Sequence, residues 1–200
     1  MNRIQLATAG LFAAWLTHDL EELATMSGSS RKLMTRLPDW LPIPAPAREQ
    51  GLTGRYVACG VAAVGLVVAA AAGHGYRTQG RSALYQNALL GFGLHGLGHL
   101  GMSLLTGGYA SGVATSPTIV LPFWLWATRA LNQAGVPNRR SVPAAIALTA
   151  GSIAAGHAVA ARLTNNALTR ATPPAEPANP FKAGENNTHL KSLEQFLSKK

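Results

Sequence analysis

The sequence predicts an all-α integral membrane bundle of about five transmembrane helices, placed as a multi-pass protein in the cell membrane. Three observations predict it. Only 12% of the 200 residues are charged, about half the share usual in soluble domains. The apolar residues gather into five runs, each close to the roughly 20 residues that cross a bilayer. The Arg residues flank those runs, where basic side chains meet headgroups.

The first run covers residues 4–26 and follows Arg3, an outline that resembles a signal peptide. No small-residue cleavage site follows, and the run leads into His18-Asp19-Leu20-Glu21-Glu22, so a retained helix is expected. Residues 27–55 form a long connection whose proline-broken centre carries Trp40; this reads as an interfacial loop. The second run, 56–76, is almost all Val, Ala and Gly. The third, 82–105, contains Gly91, Gly93, Gly96 and Gly98, which permit close helix approach. The fourth, 113–131, should bend at Pro117 and Pro122. The fifth is 142–163. With residues 1–170 as the five-helix domain, 171–200 read as a proline-rich linker and an amphipathic tail. Their Asn/Lys usage departs from the Ala/Arg usage before them, as an added segment would. The uncharged turn at 107–112 favours a cytoplasmic N-terminus.

The net charge of +9 does not indicate nucleic acid, because the Arg residues are neither gathered on one helix nor interleaved with aromatics. The expected partners are the lipid bilayer and a lipophilic small molecule; a homo-oligomer is left open. The single cysteine, Cys59, excludes an internal disulfide and vicinal thiol chemistry.

Ionisable groups inside a bilayer are costly and mark function. His18, Glu21 and Glu22 share one helical face at spacings of three and four, and His95 and His99 share another. The first, third and fifth helices run in the same direction. His18 lies about 14 residues into its helix, His95 and His99 about 13 and 17, and His157 about 15, so their depths agree within about 6 Å. The expected metal ligands are therefore His18, Glu21, Glu22, His95, His99 and His157. Asp19 and Asn87 are expected as supporting partners behind them, and Glu21 or Glu22 as catalytic groups. Imidazole and carboxylate together suit a transition metal, iron before zinc or manganese. His74 and His189 fall outside this layer.

The motif at 18–22, Asn87, the helix-three histidines and the Gly108-Tyr109 turn resemble the HXXEE family of bacterial membrane proteins, over roughly residues 4–163. The resemblance implies importance for His18, Glu21 and Glu22 and implies no reaction. The residues themselves point to a membrane metalloenzyme that hydroxylates or desaturates a lipophilic substrate. Other readings are a metal-independent isomerase or cyclase with Glu21 or Glu22 as general acid, and a proton or metal-ion carrier. Haem ligation would leave the carboxylates unexplained.

Overall fold

The computed structural model describes residues 2–34, 36, 40 and 49–170, with the backbone alone for 165–170. Five α-helices follow one another: α1 (Arg3–Met34), α2 (Gly54–Arg77), α3 (Ala83–Thr106), α4 (Leu121–Gln133) and α5 (Val142–Arg170). A single π-helical segment, Ser116–Val120, leads into α4. No strand occurs among the described residues. Residues 1–165 form one compact unit and 166–200 a second. The expected linker and tail at 171–200 lie outside the described residues.

The helix starts follow local chemistry. Thr53 and Ser82 are N-caps whose hydroxyls accept from Tyr56 N and Tyr85 N, each at 3.2 Å. Gly107 closes α3 in the left-handed conformation, φ 60°. The fourth run does not form one helix. Pro117 and Pro122 donate no backbone N–H, the α ladder cannot run unbroken, and the chain opens into the π segment before tightening into α4.

α1 continues past its expected end at residue 26 to Met34, so the connection to α2 begins later than residue 27. The Ser-rich stretch that reads as a helix stop is held helical by its own hydroxyls. Ser29 Oγ donates to Met26 O at 3.3 Å and Ser30 Oγ to Ser27 O at 3.0 Å. Ser30 Oγ also accepts from Leu52 N at 2.9 Å, which ties the end of α1 to the approach to α2. Residues 35, 37–39 and 41–48 of the expected interfacial loop lie outside the described residues; Trp40, its expected anchor, is exposed.

The helices alternate in direction. Gly80 in the α2–α3 turn packs beside Ile4, Leu131 and Val136, so the start of α1 and the two even-to-odd turns share one end. At the other end, Gly51 meets Ser30 and Arg31, and Arg36 donates to Thr106 O. α1 sits centrally, packed most extensively on α2 and also on α4, the π segment and α3. Ala7, Leu11, Ala14 and Trp15 bury one stripe of α1 against Tyr85, Leu89 and Phe92 of α3 and Val120 and Ala127 beyond. Glycines set the separations: a Cβ at Gly65 would lie 2.6 Å from the Trp15 ring and one at Gly75 2.4 Å from Tyr85.

Three helices are long and apolar enough to cross a membrane: α2, α3 and α5 up to Thr164. Large apolar side chains face outward, Leu104 and Leu105 at 84% and 87% exposure. α1 and α4 fall outside the spanning set. α1 carries Asp19, Glu21 and Glu22 in its middle, and α4 has only 13 residues after the π segment. Because all five elements alternate between the same two ends, reporter fusions at the N-terminus and after Thr164 are expected on opposite membrane faces. Both reporters in one compartment would remove α1 or α4 from the set of crossings.

Candidate metal centre

The buried stripe of α1 turns polar two-thirds of the way along. His18 and Glu22, one turn apart, stay on that stripe and are both buried. α3 presents His95 and His99, also one turn apart, toward them. Glu22 Oε1 lies 3.1 Å from His99 Nε2 and 3.9 Å from His95 Nε2. The two Nε2 atoms of His95 and His99 are 2.8 Å apart. The His18 ring stands edge-on to both, with centroids at 5.4 and 5.0 Å. One ligand atom from each of His18, Glu22, His95 and His99 falls within 4.8 Å of the others. His18 Nε2 is buried without any hydrogen-bond partner, and Glu22 Oε1, also buried, faces the Nε2 atoms of His99 and His95.

A second layer fixes His18. Its Nδ1 is 2.7 Å from Thr115 Oγ1, which in turn lies 2.5 Å from Glu21 Oε2. A carboxylate only accepts, so the single Thr115 proton goes to Glu21 and the hydroxyl oxygen accepts Nδ1–H from His18. That tautomer leaves the Nε2 lone pair of His18 bare and aimed at the other three donors. Glu21 receives three further donors: Ala114 N at 3.1 Å, Thr115 N at 2.8 Å and the Tyr109 hydroxyl. The Glu21 carboxylate holds the Tyr109 phenol, in the α3–α4 turn, above its usual range. This arrangement of carboxylate, hydroxyl and histidine is the kind that orients metal-binding imidazoles. Thr115→Val should preserve the fold and lower metal affinity by about 10–100-fold, read by competition with a chelator. Unchanged affinity would mean that His18 needs no partner behind it.

Glu21 therefore departs from expectation. It was expected among the ligands with Glu22, but around the helix it falls about 100° from Glu22 and is captured by the turn at 109–115. His157 is also not in the group: its Nδ1 is 3.0 Å from the Tyr56 hydroxyl, which turns it toward α2. Asn87 stands two turns before His95, and its amide spans the start of α5 instead. It donates to Ala83 O and Arg139 O and accepts from Ser141 N. Asp19 is buried beside Glu22, lines the cavity described next, and makes no hydrogen bond among the described residues. His74 bonds Ser82 Oγ at 2.8 Å in the α2–α3 turn. Cys59 is a free, half-buried thiol, and His189 lies outside the described residues.

Thr115 and Gly112 were not legible in the sequence. Gly112 has φ +80°, and a Cβ there would lie 2.7 Å from His18 Cε1 and 2.9 Å from His99 Cε1. The only signal was a run of small, uncharged residues between Gly107 and Ser116, which permits such an approach.

Beside the four donors, a cavity of about 320 Å³ opens between α1, α2, α3 and α5. Glu22, His95 and His99 form part of its wall, and valines of α2 form much of the remainder. Its size is that of a small-molecule chamber.

A sequence model of a family described as a protein of unknown function with HXXEE motif matches residues 9–127, more than half of the chain. That stretch contains His18, Glu21, Glu22, His95, His99, Gly112 and Thr115, and it ends before α5, short of the resemblance drawn to residue 163. No curated protein and no solved structure matches the chain.

Proposed function

The chain belongs to the HXXEE-motif family, whose function is unknown, and from that premise we propose a function on the site alone. The protein is a multi-pass membrane metalloenzyme that holds a transition metal on His18, Glu22, His95 and His99. It oxidises a lipophilic substrate lodged in the adjoining cavity. The observation that carries this reading is the convergence of three imidazoles and one carboxylate within 4.8 Å, with His18 Nε2 buried and without a hydrogen-bond partner. Lone pairs brought together in a dry interior repel one another unless a proton or a metal cation sits between them.

A mixed imidazole and carboxylate set favours iron, with zinc and manganese as the other candidates. Iron there would support dioxygen chemistry: one oxygen atom enters a substrate C–H bond, the other leaves as water, and an external donor supplies two electrons and two protons. The chain's own contribution is positional. α1 and α3 hold the donors, Thr115 and Glu21 fix the His18 tautomer, and the valine wall keeps water out and hydrocarbon in. With four donors directed at it, Glu21 is held as an acceptor and is poorly placed as a general acid; Glu22 alone carries the metal-independent alternative.

Elemental analysis of detergent-purified protein tests the proposal. About one equivalent of iron, retained through dialysis, is expected. A protein that stays metal-free after expression and reconstitution with iron, zinc and manganese overturns it. If Glu22→Gln then abolishes activity, acid-catalysed isomerisation or cyclisation becomes the function.

A further inference from the structure

The cavity has a second polar feature, away from the four donors. The Tyr56 hydroxyl of α2 meets His157 of α5 twice, at 3.0 Å to Nδ1 and 3.3 Å to the backbone carbonyl. Both residues line the cavity. The phenol has one proton and two acceptors in reach, so it is saturated as a donor while its oxygen can still accept. His157 Nε2 makes no hydrogen bond among the described residues. Together the pair offers a small hydrogen-bonding station at one part of the cavity wall.

Beyond it the α2 side of the wall is apolar, while α5 adds the hydroxyls of Thr149 and Ser152. Val61, Val64 and Val68 of α2 and Leu148 of α5 continue the cavity away from Tyr56. From Tyr56 to Val68 is twelve residues of helix, about 18 Å at 1.5 Å per residue, the reach of a long alkyl chain. Trp15 packs on Gly65, so Asp19 and Glu22, one and two turns further along α1, lie opposite the stretch of α2 between Gly65 and Tyr56. The donors thus face the interior of that path. Among the described residues the cavity wall contains no Lys or Arg but does contain Asp19 and Glu22. An anionic headgroup held at Tyr56 would find no basic side chain there among the described residues.

We propose that Tyr56 and His157 form a headgroup subsite, and that the ligand of this cavity is a neutral long-chain amphiphile. Its terminal hydroxyl or carbonyl bonds to the pair, and its chain runs past the four donors along the valine wall. The inference rests on the reading of the cavity as the chamber of the metal centre, and it names the chemical class that chamber takes.

A clickable, diazirine-bearing hexadecanol is the probe, applied to the full chain in detergent and compared with the matching hexadecanoic acid. The alcohol should label α2 and α5 at cavity residues, and unlabelled hexadecanol should suppress that labelling while hexadecanoate does not. Tyr56→Phe and His157→Leu should each reduce labelling about tenfold, the effect of losing one hydrogen bond to the headgroup. Val64→Phe, which fills the chamber, should abolish it. Preference for the acid, or labelling indifferent to both Tyr56→Phe and His157→Leu, overturns the proposal; competition on the unaltered protein decides it even if the variants fold poorly. Metal content is read on the same samples. Intact metal with failed alcohol selectivity removes the headgroup subsite alone. Selective alcohol labelling of a metal-free protein removes the metalloenzyme reading and leaves the subsite standing.

Discussion

Glu22→Ala is expected to strip the protein of metal, from about one equivalent to less than about a tenth, without unfolding it. Glu22 supplies the only carboxylate of the four-donor group, and its Oε1 lies 3.1 Å from His99 Nε2 and 3.9 Å from His95 Nε2. Losing a residue that merely supports a ligand costs about 10–100-fold in affinity, and losing the ligand itself costs more. The fold should survive because the apolar stripe of α1, from Ala7 to Trp15, packs without Glu22. His18→Ala, His95→Ala and His99→Ala should behave alike. His157→Ala should keep its metal, since its imidazole is engaged with Tyr56. His74→Ala should keep it too, in the α2–α3 turn. Elemental analysis across this set checks the assignment. Equal loss from His157→Ala, or full occupancy in Glu22→Ala, would place the metal elsewhere.

Gly112→Ala should be nearly as damaging, although it removes no functional group. The backbone there has φ +80°, which costs an L residue about 1–2 kcal/mol. The added methyl would stand 2.7 Å from the His18 ring and 2.9 Å from that of His99. Neither the rings nor the backbone can yield freely, because Gly112 O also accepts from Ser116 N at 3.1 Å and Ser116 Oγ at 2.7 Å. Metal occupancy should fall by an order of magnitude or more. The melting temperature should drop by several degrees, at about 2–4 °C per kcal/mol for a chain of this size. Gly98→Ala is the control. It lies on α3 between the two ligand histidines, with nothing within 4 Å of the new methyl, and should change neither quantity.

Much of this site could be read from spacing. His18 with Glu22 and His95 with His99 follow from a four-residue repeat, and the depth argument brought the two helices together. Depth says nothing about azimuth, which is why His157 matched in height and yet serves Tyr56. Glu21 exposed the same weakness on a finer scale. A separation of three from His18 allows a shared face, but the turn at 109–115 competes for the carboxylate, and the position of that turn depends on the π segment. The end of α1 was misjudged for another reason: Ser27-Gly28-Ser29-Ser30 has the composition of a loop, while its hydroxyls bond back to the preceding turn. Asn87 looked like a neighbour of His95 because both lie on α3; its amide is committed to residues 139–141 across the bundle.

Two elements fall outside the spanning set, α1 and α4 with its π segment; α1 carries His18 and Glu22, and α3, which is long and apolar enough to span, supplies His95 and His99. A nascent chain reaches lipid in order, and α1 comes first. With three carboxylates in its middle, it is a poor candidate to leave the insertion machinery alone. Its broadest packing is against α2, the most apolar helix of the chain, so the two are suited to enter as a hairpin with α2 as the carrier. His95 and His99 arrive only with α3, and Thr115 later still. The donors on α1 are therefore synthesised before the α3 residues that meet them.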